Sequence, residues 1–410
     1  MARHTVFSSE SVTAGHPDKI CDQISDGIVD AFLYHDPNAD VSAECAVATG
    51  LVFLAVNSVS SVSVDITGVA REVISDIGYS EVFGFDPDAC SVITSVSHRS
   101  QTRSDGTRRT AGAARGEGLV ATNQASVFGF AGVDTPERMP LPITLARRLA
   151  QQLDVVRKEK ALPYLAPDGK TLVAVELEDR RPVRIHTVIV NVQHTSALGG
   201  YGSGGRTRLE GDIQEAVIAP VFVGAPVGLD ARTKILINPG GAFLVGGPQR
   251  DAGLTGRKNM VDTYGGYARH GGGALSGKDP SHIDRLGSYV ARYVARNLVA
   301  AGLAEQCEVH LSYALGEAEP LAVSVETFGT GAAPDEVLEG IVSDIIDLRL
   351  ASIVATLELR QLPVQRGGIF YRQLAAYGHF GRPDLDLPWE REDQAKALAR
   401  AARPRGSAPR

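Results

Sequence analysis

Two neighbouring stretches carry residue types that could hold a polyanion: GGPQRDAGLTGRK over 246–258 and DTYGGYARHGGGALSGKDPS over 262–281. Glycine lets backbone N–H groups approach an anion closely, and lysine and arginine neutralise it. Several linked phosphates suit that chemistry, with Arg257, Lys258 and Lys278 as the candidate cations. GGALSGK (Gly272–Lys278) has the glycine–lysine spacing of a P-loop. Asp279 follows it, however, where Ser or Thr would bind magnesium, and no strand clearly precedes it. The bland alternative is a glycine-rich surface loop with solvated charges. The closeness of two such clusters weighs against it.

A second set lies near the start of the chain. SSESVTAGHPDKICDQISDG (8–27) places His16, Asp18 and Lys19 at a helix start, with Pro17 suited to the first turn. His16 alone reads as a capping or packed histidine. Beside an aspartate that could hold magnesium, it becomes a candidate donor to a phosphate or a leaving oxygen. Asp18, Asp22, Asp26 and Asp30 recur every four residues, a spacing that destabilises an isolated helix. They read either as a solvated acidic face or as a row whose repulsion a cation or basic partner offsets near Asp18.

These residues must be positioned by helices and strands. Ile20, Ile24, Ile28 and Phe32 predict a helix over 18–33. Further helices are predicted over 67–78, 142–153, 212–222, 284–302 and 334–346. Strands are predicted over 45–56, 61–66, 186–194, 234–238, 307–315 and 320–328. The two types interleave without a regular βαβ rhythm, which predicts an α+β fold with several modest sheets. No internal sequence repeat is visible. Residues 97–118 and 195–209 read as flexible connections, the former a linker or a lid carrying Arg99, Arg103, Arg108, Arg109 and Arg115. They divide the chain into an N-terminal domain over 1–104, a central domain over 117–231 and a C-terminal domain over 232–390. A basic, disordered tail is expected over 391–410.

The bulk properties narrow the class. A chain of 410 residues exceeds one small core, and a net charge of −7 gives no general affinity for nucleic acid. No run of about 18 apolar residues predicts a membrane span, and the first residues lack a signal core. Cys21, Cys45, Cys90 and Cys307 fit no metal spacing and read as buried thiols in a reducing cytoplasm.

GHPDK, GGPQRDAGLTGRK, DTYGGYARHGGGALSGKDPS and YGHFGR together closely resemble the S-adenosylmethionine synthetase family, from about residue 4 to 400. The resemblance implies three similar α+β domains around a pseudo-threefold axis. It also implies active sites between two subunits of a homodimer or homotetramer. The implied reaction attacks C5′ of ATP with a thioether sulfur, and tripolyphosphate leaves and is cleaved to pyrophosphate and phosphate. Magnesium and potassium are the implied cofactors.

Residue by residue, the resemblance makes His16, Lys170, Arg257, Lys258 and Lys278 the catalytic set. Asp168, Phe243, Asp251 and Ala274 join these in binding ATP, with Phe243 stacking the adenine. Asp18 and Asp284 match magnesium ligands, and Glu44 a potassium ligand. Residues 98–121 match a lid.

The departures from the family cluster. It commonly has glutamate at Asn57, glutamine at Arg99, aspartate at Asn123, lysine at His282, and arginine at Ala242. The first four, with Asp251, match the sulfur-acceptor pocket, where the two missing acids would face the methionine ammonium. An ammonium without its partners costs on the order of 3–5 kcal/mol in a desolvated site. Three readings therefore stand: methionine as acceptor, a thioether acid lacking the amino group, or a noncatalytic ATP-binding paralogue.

Overall fold

The computed structural model describes residues 3–99, 118–199 and 202–403. Three units of one plan follow each other: strand, long helix, two strands, second helix. The first has β1 (His4–Val12), α1 (Pro17–His35), β2 (Asp40–Ala48), β3 (Leu51–Val59), α2 (Ile66–Ile77) and β4 (Ser91–Arg99). The second has β5 (Ala125–Gly132), α3 (Leu141–Lys158), β6 (Leu165–Glu178), β7 (Arg181–His194), α4 (Ser203–Ile213) and β8 (Lys234–Ile237). The third has β9 (Gly253–Leu254), α5 (Ile283–Ala300), β10 (Gln306–Tyr313), β11 (Ala322–Glu326) and α6 (Asp335–Ile345).

The sheets cross these units. Their strand orders are β1-β6-β7-β8, β5-β10-β11 and β9-β2-β3-β4. Each unit's first strand joins the next unit's sheet, and the third unit's returns to the first. All three donated strands pair antiparallel. This closed cycle relates the three units of the α+β fold by a pseudo-threefold connectivity. Element order repeats here without residue identity, so the sequence shows no repeat.

Several local expectations are corrected. Residues 45–56 are parts of two strands, β2 and β3, joined by a turn at Gly50, whose φ of +67° suits glycine. Residues 61–65 are a loop, because the Asp65 carboxylate accepts from Gly68 N at 2.9 Å and caps α2. The connection expected over 195–209 is helical from Ser203. A π turn at Gln214–Ile218 then accommodates Pro220, which has no N–H to donate. The end of the chain is not a free tail through 403. Ala395–Ala401 is helical, Leu398 is buried, and Asn297 Oδ1 accepts from Gln394 N at 2.9 Å. Residues 404–410 lie outside the described residues.

The acidic row of α1 is not a solvated face. Asp18, Asp22, Asp26 and Asp30 are at most 2% exposed. Asp22, Asp26 and Asp30 tie the helix to three different segments. Asp22 accepts from Gly256 N and Lys19 Nζ, both at 2.8 Å. Asp26 accepts from Gly277 N at 2.8 Å and pairs with buried Arg285. Asp30 accepts from the N–H groups of Phe370, Tyr371 and Arg372, each at 2.9 Å. Partners on three sides offset the repulsion along the row.

Candidate functional site: two half-sites on one chain

The loop before α1 is fixed against β6. Thr13 N donates to Gly169 O at 3.0 Å, and Thr13 Oγ1 to Pro167 O at 2.7 Å. Gly15 runs so close that a Cβ there would lie 2.3 Å from Pro167 O. This places His16 beside Asp168 and Lys170. His16 caps α1 through Nδ1, which accepts from Asp18 N at 3.2 Å. Burial, then Lys258, push its pKa down to about 4 despite Asp18. The ring is neutral near pH 7, with its proton on Nε2, so His16 can donate a hydrogen bond without carrying charge.

A cavity of about 320 Å³ opens beside it, lined by His16, Asp168, Lys170, Phe243, Arg250 and Asp251 among others. Asp168 is 8% exposed and accepts from Gly247 N at 2.9 Å; burial raises its pKa to about 6. The backbone of Phe243 is held on both sides by His194. Its carbonyl accepts from His194 N at 2.9 Å, and its N–H donates to Nε2 at 3.3 Å. One aromatic face beside buried and charged polar groups is the makeup of a nucleoside pocket.

Three lysines are parked on acids. Lys170 lies 2.6 Å from Glu10, Lys258 2.5 Å from Asp18, and Lys278 2.6 Å from Asp284. Arg257 lies 3.7 Å from Asp18, which also accepts from Leu254 N at 3.0 Å. The two glycine-rich stretches pack against each other. A Cβ at Gly256 would lie 2.5 Å from that of Ala274, and one at Gly277 would lie 2.1 Å from Ala43 O. Sequence reasoning missed Glu10. No pattern marks it, because its partner Lys170 is 160 positions away in sequence and meets it only through the β1–β6 pairing.

A second cavity, of about 490 Å³, has Asn57, Ser97, Asp279, Ser281, His282 and Arg360 in its lining. It shares no lining residue with the first. Of the acceptor-pocket candidates, Asn57 and His282 line it, whereas Asp251 lines the first cavity. Asn123 is exposed next to Thr122 on its rim, and the Arg99 side chain lies outside the described residues, as do residues 100–117 of the expected lid. The carboxylates in this wall are engaged. Asp279 accepts from Val41 N at 2.9 Å and Ser281 N at 2.8 Å, and Asp40 lies 3.2 Å from Arg360. His282 stands at the N-terminal end of α5 without a side-chain capping bond, its Nδ1 3.5 Å from Asp284; burial and then Lys278 lower its pKa. Both effects disfavour its charged form.

The sheet of β9, β2, β3 and β4 leaves one face bare. Leu254, Ala46, Phe53 and Ile93 form one row across all four strands. Leu254, Phe53 and Ile93 are 46%, 41% and 52% exposed. The next row carries Glu44 opposite Ala55, and the one beyond it Asn57 opposite Ser97.

Among the described residues, no three His, Cys, Asp or Glu side chains converge as a metal cage. Asp18 and Asp284 instead offer single carboxylates beside phosphate-seeking lysines. That donor set fits magnesium, which takes one or two carboxylates and completes its shell with phosphate and water. Glu44 offers a potassium ion one exposed carboxylate on the sheet face.

Comparison with known proteins bears on the whole chain. Models of the S-adenosylmethionine synthetase N-terminal, central and C-terminal domains match residues 4–101, 118–243 and 245–391. The chain is 52% identical over 405 residues to S-adenosylmethionine synthase of Synechococcus sp. (strain JA-3-3Ab), covering 97% of this chain and 98% of that protein. It is 49% identical over 410 residues to S-adenosylmethionine synthase of Rippkaea orientalis, covering 98% and 97%. It is 49% identical over 413 residues to that of Gloeobacter violaceus, covering 98% of both chains. With all three domains matched and relatives aligned over nearly their full length, the chain belongs to the S-adenosylmethionine synthetase family.

Proposed function

We propose that two copies of this chain form each working site, in which ATP and methionine yield S-adenosylmethionine. The enzyme is a methionine adenosyltransferase. A lone pair on sulfur attacks C5′ of ATP, the C5′–O bond breaks, and tripolyphosphate departs with the electron pair. Water then cleaves it to pyrophosphate and phosphate. In this reading Phe243, Asp168 and Asp251 orient the nucleoside, and His16 donates its Nε2 proton in a hydrogen bond to the departing oxygen. Lys170, Arg257, Lys258 and Lys278 take up the charge that gathers on the leaving group, while Ala274 gives ATP a closely packed wall. The observation that carries the reading is the set of three lysines held on Glu10, Asp18 and Asp284. These acids would repel a polyphosphate that arrived alone. Asp18 and Asp284 would hold magnesium, which would supply charge neutralisation to an incoming polyphosphate, and the lysines exchange acid for phosphate.

A single chain holds the nucleotide half and the acceptor half in separate cavities. A second copy seated on the apolar sheet row in a twofold arrangement brings one chain's nucleotide half to the other's acceptor half. Glu44 then falls inside the interface, where a potassium ion would be held.

One observation favours a second reading of the acceptor, a thioether acid lacking the amino group. Asn57 and His282 line the acceptor cavity where the family carries charge, and Asp279 and Asp40 are already engaged. Supplying ATP, magnesium and potassium with methionine, or with its 2-oxo analogue, separates the two by product mass. Methionine as the better substrate upholds the first reading. Preference for the 2-oxo acid upholds the second, and no adenosyl-sulfonium from either removes both.

A further inference from the structure

We propose that Arg250 is a nucleobase clamp, a positioning residue that closes the ATP pocket from the side opposite Phe243. The proposal rests on the reading of that cavity as the nucleoside site. The guanidinium carbon of Arg250 lies 5.1 Å from the centroid of the Phe243 ring. Both residues line the same cavity as His16 and Lys170. The turn beneath Arg250 is fixed: Asp168 holds Gly247 N at 2.9 Å, and Arg250 N donates to Gly247 O at 3.0 Å. Gly247 has φ +60°, and a Cβ there would lie 2.2 Å from Tyr79 Oη, so the turn can take only this path. The side chain above it is exposed. Its one hydrogen bond among the described residues is a 3.5 Å contact from Nη1 to Val245 O.

A rigid root with a loosely held head is suited to clamping. A flat base between ring and guanidinium needs the two about 7 Å apart, twice a van der Waals stacking distance of about 3.5 Å. The head therefore has to lift by roughly 2 Å from its present place, well within the reach of an exposed arginine. A planar guanidinium stacks on aromatic faces, which a lysine ammonium cannot do. Ala242, also in the lining, puts no guanidinium of its own beside Phe243. Arg250 brings one from the far end of the same loop.

The test is Arg250→Ala and Arg250→Lys in the full-length enzyme, read with three probes. With ATP, Arg250→Ala is expected to raise KM about five- to tenfold while kcat stays within about twofold. Arg250→Lys should recover less than half of that loss on a logarithmic scale. With inorganic tripolyphosphate, which has no base, KM for hydrolysis should not move. An equal rise in KM for tripolyphosphate, or full rescue by lysine, makes Arg250 a phosphate cation and overturns the clamp. An unchanged KM for ATP overturns it as well. The third probe is the dissociation constant of adenylyl imidodiphosphate by calorimetry, expected to weaken by the same factor in Arg250→Ala. This binding needs no turnover, so it judges the clamp even if the wild-type protein fails to alkylate methionine, a result that would instead count against the proposed reaction.

Discussion

At the scale of single residues, the chemistry lies in which charge meets which. Lys258 is held 2.5 Å from Asp18, and one neighbour of both is a histidine kept neutral by burial and lysines. If Lys258 meets the leaving phosphates, Lys258→Met should lower kcat about 10²- to 10³-fold, the cost of losing one preorganised charge partner. Its melting temperature should stay near that of the wild type, which thermal denaturation checks. The acceptor wall gives a second prediction. Asn57→Glu with Asn123→Asp should lower KM for methionine about tenfold or more, since each 1.4 kcal/mol recovered at the ammonium is a factor of ten. Steady-state kinetics with methionine and its 2-oxo analogue reads this, and the gain should be confined to methionine. The proposed phosphate cations Arg257, Lys258 and Lys278 were legible as candidates in the sequence because glycine and basic residues clustered within short motifs. Glu10 was not, since its pairing with Lys170 depends on strand register across two units.

At the scale of elements, α1 organises the site. Its aspartates fasten Gly256 and Gly277, one from each glycine-rich stretch, to a single helix. Asp26→Ala would leave Arg285 buried without its carboxylate and free Gly277 N from its acceptor. The expected loss is about 3–5 kcal/mol of stability, measured by chemical denaturation, with a weaker affinity for ATP. The spacing alone left both a solvated face and a partnered row open, because period-four aspartates look alike whether they face water or loops. The helices were easier to place than the strands. α1, α2 and α5 have apolar stripes that mark them. β1, with HTVFSSESV, has too few apolar residues to read as a strand until β6 supplies its partner. The single run expected over 45–56 hid a hairpin because both strands bury alternate residues, and only Gly50 marks the turn.

At the scale of the whole molecule, three units exchange their first strands in a ring, and the resulting sheets present one face that no other part of the described chain covers. Phe53 stands in the middle of its apolar row. Phe53→Asp should convert the proposed dimer to monomers by light scattering and remove activity with it, while the monomer retains its secondary structure by circular dichroism. The family resemblance implied the two-subunit site proposed above, but the row itself spans four strands, and no linear motif contains it. The claim that working sites are shared between chains has one direct test. Lys170→Met and Lys278→Met are each expected to be nearly inactive; Lys170 lines the nucleotide cavity, whereas Lys278 pairs with Asp284 beside His282 of the acceptor cavity. Co-expressed at equal levels, they form mixed dimers for about half the population, and one of the two sites in each mixed dimer carries both wild-type lysines. The account predicts that the mixture makes S-adenosylmethionine at about a quarter of the wild-type rate. A mixture no more active than its separate components would contradict it.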